Sequence, residues 1–427
     1  MALSCQKNAL FCFLFSLLSS CETTSSVSTG PDEESKQGNI LWNDRRNGKQ
    51  IENDICKSTL DFSYNQLSWN SEKRGPLKDH LKKFEKCIQK MYLNIEGRDD
   101  LEKEDCKVIA ESPINGINLK ETNADMACLT ELAKSPSLTQ IKLGYERHFK
   151  GNRLLSDTAV QQLAPLQLET FELTDHLEIF TDAAITPLNL KKATSVVLNA
   201  NNLTGNALAN SHEWNSLKKL QLWGSKFDSN SLQYASSWGQ LTHLNLYGKN
   251  LTEALAQHGE QLSSLEEVSL HNMKDIALVG SHKWKQLKVL QLYSEEFTFE
   301  ALKFIDAPLK VLKLHGNKFD SNQLAIIPAL DLKKRCSQLE KIELSGDHFT
   351  DQLLQYAEEA KIIELELWGK QFTDQVLRYG KKWKLQSLSL HGDNFTENAV
   401  KIANQQWPAL RFFYTSGAQF KKDGFRI

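Results

Sequence analysis

Neither sign of charge is in excess in this sequence: 51 Lys and Arg stand against 53 Asp and Glu, and the isoelectric point lies near 6.6. A bulk positive field for gripping phosphates is therefore missing, and nucleic acid is not expected as a partner. Long apolar runs are missing too. Beyond the first thirty residues nothing approaches the roughly 18 to 20 uninterrupted apolar residues that a membrane-spanning helix needs. Proline is scarce, at 9 of 427 residues, and with 40% hydrophobic and 24% charged residues the remainder has the make-up of a folded soluble chain. No phosphate-cradling glycine loop and no Ser/His/Asp set is present, so no catalytic residue and no cofactor is expected.

The first twenty residues read as an export signal. Lys7 supplies a small positive start, and Ala9 to Leu18 form an apolar stretch too short to span a membrane. That stretch ends in Leu18-Ser19-Ser20-Cys21, which resembles a bacterial lipobox, where cleavage precedes a cysteine whose thiol carries a diacylglyceryl group. An ordinary signal peptide with a chance cysteine is the other reading. Residues 21–31, rich in Ser and Thr, have the composition of a flexible tether, which makes sense when something upstream is fixed.

A repeat organises the rest. The segments starting at Leu217 (LKKLQLWG), Leu241 (LTHLNLYG), Leu265, Leu287 and Leu309 (LKVLKLHG) share the pattern LxxLxLxG. It continues at Leu339, Ile362, Leu385 and a degenerate LRFFYTSG from Leu410, and weaker units lie upstream at Ile114, Leu138, Leu168 and Ala193. Successive starts are spaced by 22 to 25 residues, except for two intervals of 30, which gives thirteen units. Leu at positions one, four and six alternates with polar residues, so one face of a short strand is buried and the other is open. A single unit cannot bury that face alone; stacking supplies the missing walls. An aromatic or Leu ten residues after the first Leu (Phe227, Leu251, Phe297, Phe319, Phe349, Phe372, Phe395) should plug the turn that leaves the strand. A polar cap and an i, i+3 pattern then predict one or two helical turns on the convex side. Trp214, Trp238, Trp284, Trp383 and Trp407 recur just before the next strand, a placement that points to packing at the core or convex edge.

These units resemble the leucine-rich-repeat superfamily over residues 114–427. The resemblance implies an α/β solenoid, a horseshoe with a concave parallel sheet and short convex helices, and it implies a binding scaffold with no catalytic residues to carry over. One departure stands out: the usual Asn after the strand is matched in place only by Asn317, with Asp347 and Asp393 near it, and Gly at position eight (Gly224, Gly248, Gly316, Gly346, Gly369, Gly392) is expected to supply the tight turn instead. Residues 32–113 form a charged, partly helix-prone segment, expected as a small, mostly helical cap region of unknown role. It also offers room for a small enzymatic or adaptor domain served by the repeats as a targeting arm.

Position seven of each unit points outward on the concave face and reads Trp223, Tyr247, His271, Tyr293, His315, Ser345, Trp368 and His391. Strands about 4.8 Å apart would line these rings into a stripe, suited either to recognition or simply to stacking on one another. Lys218, Lys219, Lys288, Lys310 and Lys313 beside Glu266, Glu267, Glu340, Glu343, Glu364 and Glu366 give mixed charge, which fits a protein partner or an ordinary solvated face. His271 and His315 fall about 10 Å apart on that spacing, too far to share one zinc, so no metal is expected. Cys56, Cys87, Cys106 and Cys128 cluster before the strand at Leu138 and lack CxxC spacing. Two disulfides in any of three pairings, stapling an N-terminal cap, and free buried thiols are the competing readings. Asn202-Leu203-Thr204, Asn250-Leu251-Thr252 and Asn394-Phe395-Thr396 would be glycan acceptors in a eukaryotic secreted protein. The expectation is an exported, non-catalytic repeat protein, lipid-anchored through Cys21 to a bacterial outer membrane or cell surface, or else secreted. It would bind a protein or glycan partner, a host's included, through the stripe.

Overall fold

The computed structural model describes residues 60–61, 91–99, 101–149, 151–320 and 336–416. They build one sheet of fifteen parallel strands whose spatial order is their order in the chain. The strands are β1 (Leu60–Asp61), β2 (Met91–Asn94), β3 (Ile114–Asn118), β4 (Gln140–Tyr145) and β5 (Thr170–Asp175). They continue as β6 (Ser195–Ala200), β7 (Lys219–Trp223), β8 (His243–Tyr247), β9 (Glu267–His271) and β10 (Val289–Tyr293). The last are β11 (Val311–His315), β12 (Lys341–Ser345), β13 (Glu364–Trp368), β14 (Ser387–His391) and β15 (Phe412–Ser416). Each of the thirteen repeat units supplies one strand, β3 to β15.

Register follows the repeat. From β7 to β11 the fourth positions Leu220, Leu244, Val268, Leu290 and Leu312 are paired neighbours, and so are the sixth positions Leu222, Leu246, Leu270, Leu292 and Leu314. All ten are buried in one continuous core, each worth about 2 kcal/mol of removed apolar surface. Phe227, Phe297, Phe319, Phe349, Phe372 and Phe395 are also fully buried, and the rings of Phe319, Phe349 and Phe372 stack at 5.7 and 6.3 Å from coil to coil. The tryptophans close the other end of each coil: the indole N–H groups of Trp238, Trp284, Trp383 and Trp407 donate to the carbonyls of Ser211, Gly259, Ala357 and Gly380 in the preceding coil.

The convex side carries α-helices at Lys103–Glu111, Met126–Leu132, Leu251–His258 and Glu397–Gln406. Most other coils have 3₁₀ turns, such as Ser229–Leu232, Phe299–Phe304 and Asp351–Ala357. A coil of 22 to 25 residues leaves few for its outer wall, and the 3₁₀ rise of about 2.0 Å per residue covers that width with fewer residues than an α-helix does.

Coils are tied by side chains that the consensus does not contain. Asp182 accepts the N–H and hydroxyl of Thr204 at 2.8 and 2.6 Å, Asp275 those of Thr298 at 2.8 and 2.6 Å, and Asp351 those of Thr373 at 2.9 and 2.5 Å. Each Thr also caps its own helical turn, so one hydroxyl closes a turn and joins two coils. Burial pushes the Asp275 and Asp351 carboxyls above their usual range despite these bonds, so desolvation offsets much of their worth. The Asn ladder is present but displaced by one place: Asn202, Asn250 and Asn394 donate to the carbonyls of Glu178, Ser225 and Lys370 at 2.7, 3.1 and 2.6 Å. Asn317, at the ninth position, accepts the Asp347 N–H of the next coil at 2.9 Å. The three Asn-x-Thr triplets thus have a structural origin: a coil tie, a buried plug (Leu203, Leu251, Phe395) and a Thr that caps in two of the three.

The sheet does not begin at Ile114. Parallel pairing continues from β3 to β2 and β1, and Leu93 and Ile95 are as deeply buried as Ile117 and Leu119. The helix Lys103–Glu111 occupies the convex side of this earlier coil, and its Cys106 is bonded to Cys128 in the next coil's helix, with Cα atoms 5.2 Å apart. Residues 91–99 and 101–113, expected in a separate, mostly helical region, are therefore part of a coil of the solenoid, and the room for an independent N-terminal domain shrinks accordingly. Cys21, Cys56, Cys87, the signal segment and the tether lie outside the described residues.

Candidate functional site

Strand alternation puts positions three, five and seven on the open face of the sheet. At position seven the register is unbroken: Trp223, Tyr247, His271, Tyr293, His315, Ser345, Trp368, His391 and Ser416 are successive paired neighbours from β7 to β15. Upstream the same row holds Asn199, Thr174 and Gly144, so the rings start at β7.

The rings form two stacks. In the first, Trp223 and Tyr247 stack at 4.9 Å, His271 and Tyr293 lie nearly parallel at 4.6 Å, and Tyr293 meets His315 at 4.3 Å. In the second, Trp368 lies on His391 at 3.4 Å, and His391 meets Tyr414 at 4.8 Å. Ser345 separates them. Stacking and exposure compete along the row: His271 is only 6% exposed, whereas Tyr247 and Trp368 are 36% and 43% exposed. Mutual shielding therefore holds at His271, and within the position-seven row the surface open to a partner is concentrated at Tyr247 and Trp368.

Polar groups at position five fix the ring edges. Trp223 donates its indole N–H to Asn245 at 3.2 Å, Tyr293 its hydroxyl to Gln291 at 3.0 Å, and Trp368 its indole N–H to Glu366 at 2.6 Å. Ser269 and Ser389 lie 2.9 Å from Nε2 of His271 and His391. Burial holds His271 down to about 3, with the charge of His315 adding to it, and burial holds His391 down to about 4; both rings are neutral at pH 7. Burial works to raise the Glu343 carboxyl, but the contact with His315 at 2.7 Å and the Lys313 charge at 3.1 Å outweigh it and hold it at about 2.

The charges flagged in the sequence mostly meet one another across neighbouring strands. Lys288 pairs with Glu266 at 2.7 Å, Lys310 with Glu340 at 3.1 Å, and Lys313 with Glu343 at 3.1 Å. The first two pairs, being exposed, contribute little to stability, and all three largely cancel the field of either sign. Sequence reasoning missed two side chains of the same face. Phe412 and Tyr414, at positions three and five of the degenerate last unit, are 71% and 44% exposed; applying the strand alternation to LRFFYTSG would have found them. Among the described residues no group of three or more His, Cys, Asp or Glu is placed to hold a metal ion, and no helix is long and apolar enough to cross a membrane.

A chain-ordered parallel sheet on one wall, short helical turns on the other and one Leu-lined coil per repeat make this a leucine-rich-repeat solenoid. No protein-family model and no curated protein matches the sequence. Among solved structures it is similar to an internalin (inlF) from Listeria monocytogenes, with 15% identity, a TM-score of 0.41 and coverage of 81% of this chain and 84% of that one. It is also similar to the protein of a TLR13–ssRNA13 complex (14% identity, TM-score 0.41, 74% of this chain) and to that of the Toll–Spatzle complex of Drosophila (10% identity, TM-score 0.37, 80% of this chain). The chain spans about half the length of the latter two, 50% and 53%.

Proposed function

We propose that this protein is a non-catalytic binding scaffold that docks a protein partner on the open face of its sheet, with Tyr247 and Trp368 as principal contacts. The observation that carries this reading is the in-register row of aromatic rings, edge-fixed by Asn245, Gln291 and Glu366 and most open at those two positions. Prefixed aromatic side chains give large contact area for little lost entropy. A photo-reactive phenylalanine analogue placed singly at Tyr247, Trp368 or the convex Ile276, itself 53% exposed, tests the assignment on producing cells and on cells they contact. Discrete protein adducts are expected from the first two positions and none from the third. Adducts from Ile276 alone would place docking on the convex wall and overturn the reading, and adducts that are glycan would change the partner class.

The same reading places the protein outside the cytoplasm, tethered by lipid on Cys21, on the outer membrane or cell surface of a bacterium, where contact with a host is one setting for docking. Leu18-Ser19-Ser20-Cys21 and the polar stretch after it support this, and so does the Cys106–Cys128 disulfide, a bond suited to an oxidising compartment. Labelling with clickable palmitate in a bacterial host is expected to mark the wild type and not Cys21→Ala. Equal labelling of both, or of neither, removes the anchor and leaves secretion.

A further inference from the structure

Ser345 interrupts the ring row between His315 and Trp368, which stand two strands apart in register. Two strands place those ring positions roughly 10 Å apart. A planar group stacked at contact distance on both rings needs about 7 to 8 Å, and two such groups would need more than is there. His391 covers one face of Trp368 at 3.4 Å, and Ser345 is the neighbour on its other side, so the 43% exposure of Trp368 fits a ring face opening over that serine.

The floor beside this gap is acidic in a particular way. Glu343 and Glu366 are register neighbours at position five, and the next residue in that row is Ser389. Like charges directly opposite on a sheet are unfavourable. Lys313 compensates Glu343 at 3.1 Å, and the His315 imidazole contacts it at 2.7 Å. Glu366 instead accepts the Trp368 indole N–H at 2.6 Å, and its two register neighbours, Glu343 and Ser389, supply no cation. A carboxylate next to an open indole face and a second carboxylate calls for a flat cation.

We propose that the gap over Ser345 is a slot for one arginine side chain of a protein partner, its guanidinium stacked between His315 and Trp368 and hydrogen-bonded to Glu366. A guanidinium is planar, weakly hydrated and suited at once to an aromatic face and a carboxylate, whereas an ammonium is a compact, strongly hydrated charge. This rests on the open face being the docking surface and adds which chemistry it selects.

The test uses the full chain with ¹⁵N-labelled tryptophan, the Trp368 indole N–H being identified by loss of its signal in Trp368→Phe. Acetyl-Gly-Arg-Gly-amide is expected to shift that signal with half-saturation on the order of 1 mM. The Lys counterpart should be weaker by at least about 5-fold, and Glu366→Gln should weaken the Arg peptide by a similar factor. Ser345→Tyr fills the gap with a residue that this position already holds in β8 and β10, so the variant should fold and give no shift. An equal response to the Lys peptide, a stronger one to acetyl-Gly-Phe-Gly-amide, or a shift that survives in Ser345→Tyr each overturns the slot. Cross-links at Tyr247 that persist alongside such a result would show that the face docks a partner while the slot does not take arginine. Absence of both would remove the two readings together.

Discussion

Gly316→Ala is expected to lower stability by about 3 to 4 kcal/mol and to split unfolding of the solenoid into two transitions. Gly316 has φ of +150°, a region closed to residues with a Cβ, and a methyl there would sit 2.1 Å from the carbonyl oxygen of Ser294 in the preceding coil. Backbone strain of about 1 to 3 kcal/mol and overpacking of about 1 to 3 kcal/mol therefore add at one site. The only relief is to part the coils, which would stretch the pairing of β10 with β11. Because each coil packs mainly on its immediate neighbours, one weakened interface loosens the coupling of the halves on either side of it. Gly248→Ala separates the two costs, since its φ of +151° is the same but its nearest atom, the Gly224 carbonyl oxygen, is 2.8 Å away. It should lose less. Gly239→Ala, with nothing within 4 Å, should be neutral. Urea unfolding followed by tryptophan fluorescence reads all three, and a single unshifted transition for Gly316→Ala would refute the close-approach account of these glycines.

The stacking of coils also decides which features are legible in the sequence. Leu220, Leu222 and their counterparts were legible because period and burial coincide: a residue that returns once per coil at the same strand position faces the same wall. The stripe was legible for the same reason. The coil at β2 was not, because counting back from Leu93 puts position one on Lys90, and the register with β3 shifts between Met91 and Tyr92. In sequence, only Leu93 and Ile95 then remain of the three consensus residues. The ladder Asn works from the tenth position instead of the usual ninth, since a carbonyl one coil away can be reached from either side of the turn. The Asp–Thr ties were visible only as helix caps. Their partners lie 22 or 23 residues apart, a spacing that acquires meaning once coils stack.

Burial along the stripe was illegible for another reason. Alternation states which wall a ring faces but not how far its neighbours lean over it, and that depends on side-chain rotation and on what stands at position five. Ser269 and Gln291 are small or flexible enough for His271 to lie flat against Tyr293, whereas Glu366 holds the indole of Trp368 by its edge. One row therefore contains both a shielded imidazole and an open indole.

The shielded imidazole should make the protein sensitive to mild acid. His271 is neutral in the folded chain, its folded-state value held down to about 3 by burial and by the charge of His315, but it regains an ordinary value near 6.5 when unfolded. Above that ordinary value both states are neutral and the group contributes nothing to the pH dependence. As pH falls below it the unfolded chain takes up a proton that the folded chain refuses, so stability is lost progressively down to the folded value. At pH 5 this amounts to about 2 kcal/mol, from 1.36 kcal/mol per unit. His391, held down to about 4 and only partly buried, adds in the same direction but less, because solvent screens it. Glu343 does not contribute in this window: its depressed value keeps its stabilisation intact until pH falls below the ordinary carboxylate range. His271→Phe keeps a flat ring beside Trp223 and Tyr293 and gives up the contact with Ser269. Its urea midpoint should therefore change less between pH 7 and pH 5 than that of the wild type, by an amount corresponding to about 2 kcal/mol. If the two proteins lose stability in parallel over that range, the buried imidazole is not the acid-sensitive element, and the first stack is looser in solution than its 4.6 Å ring separation implies.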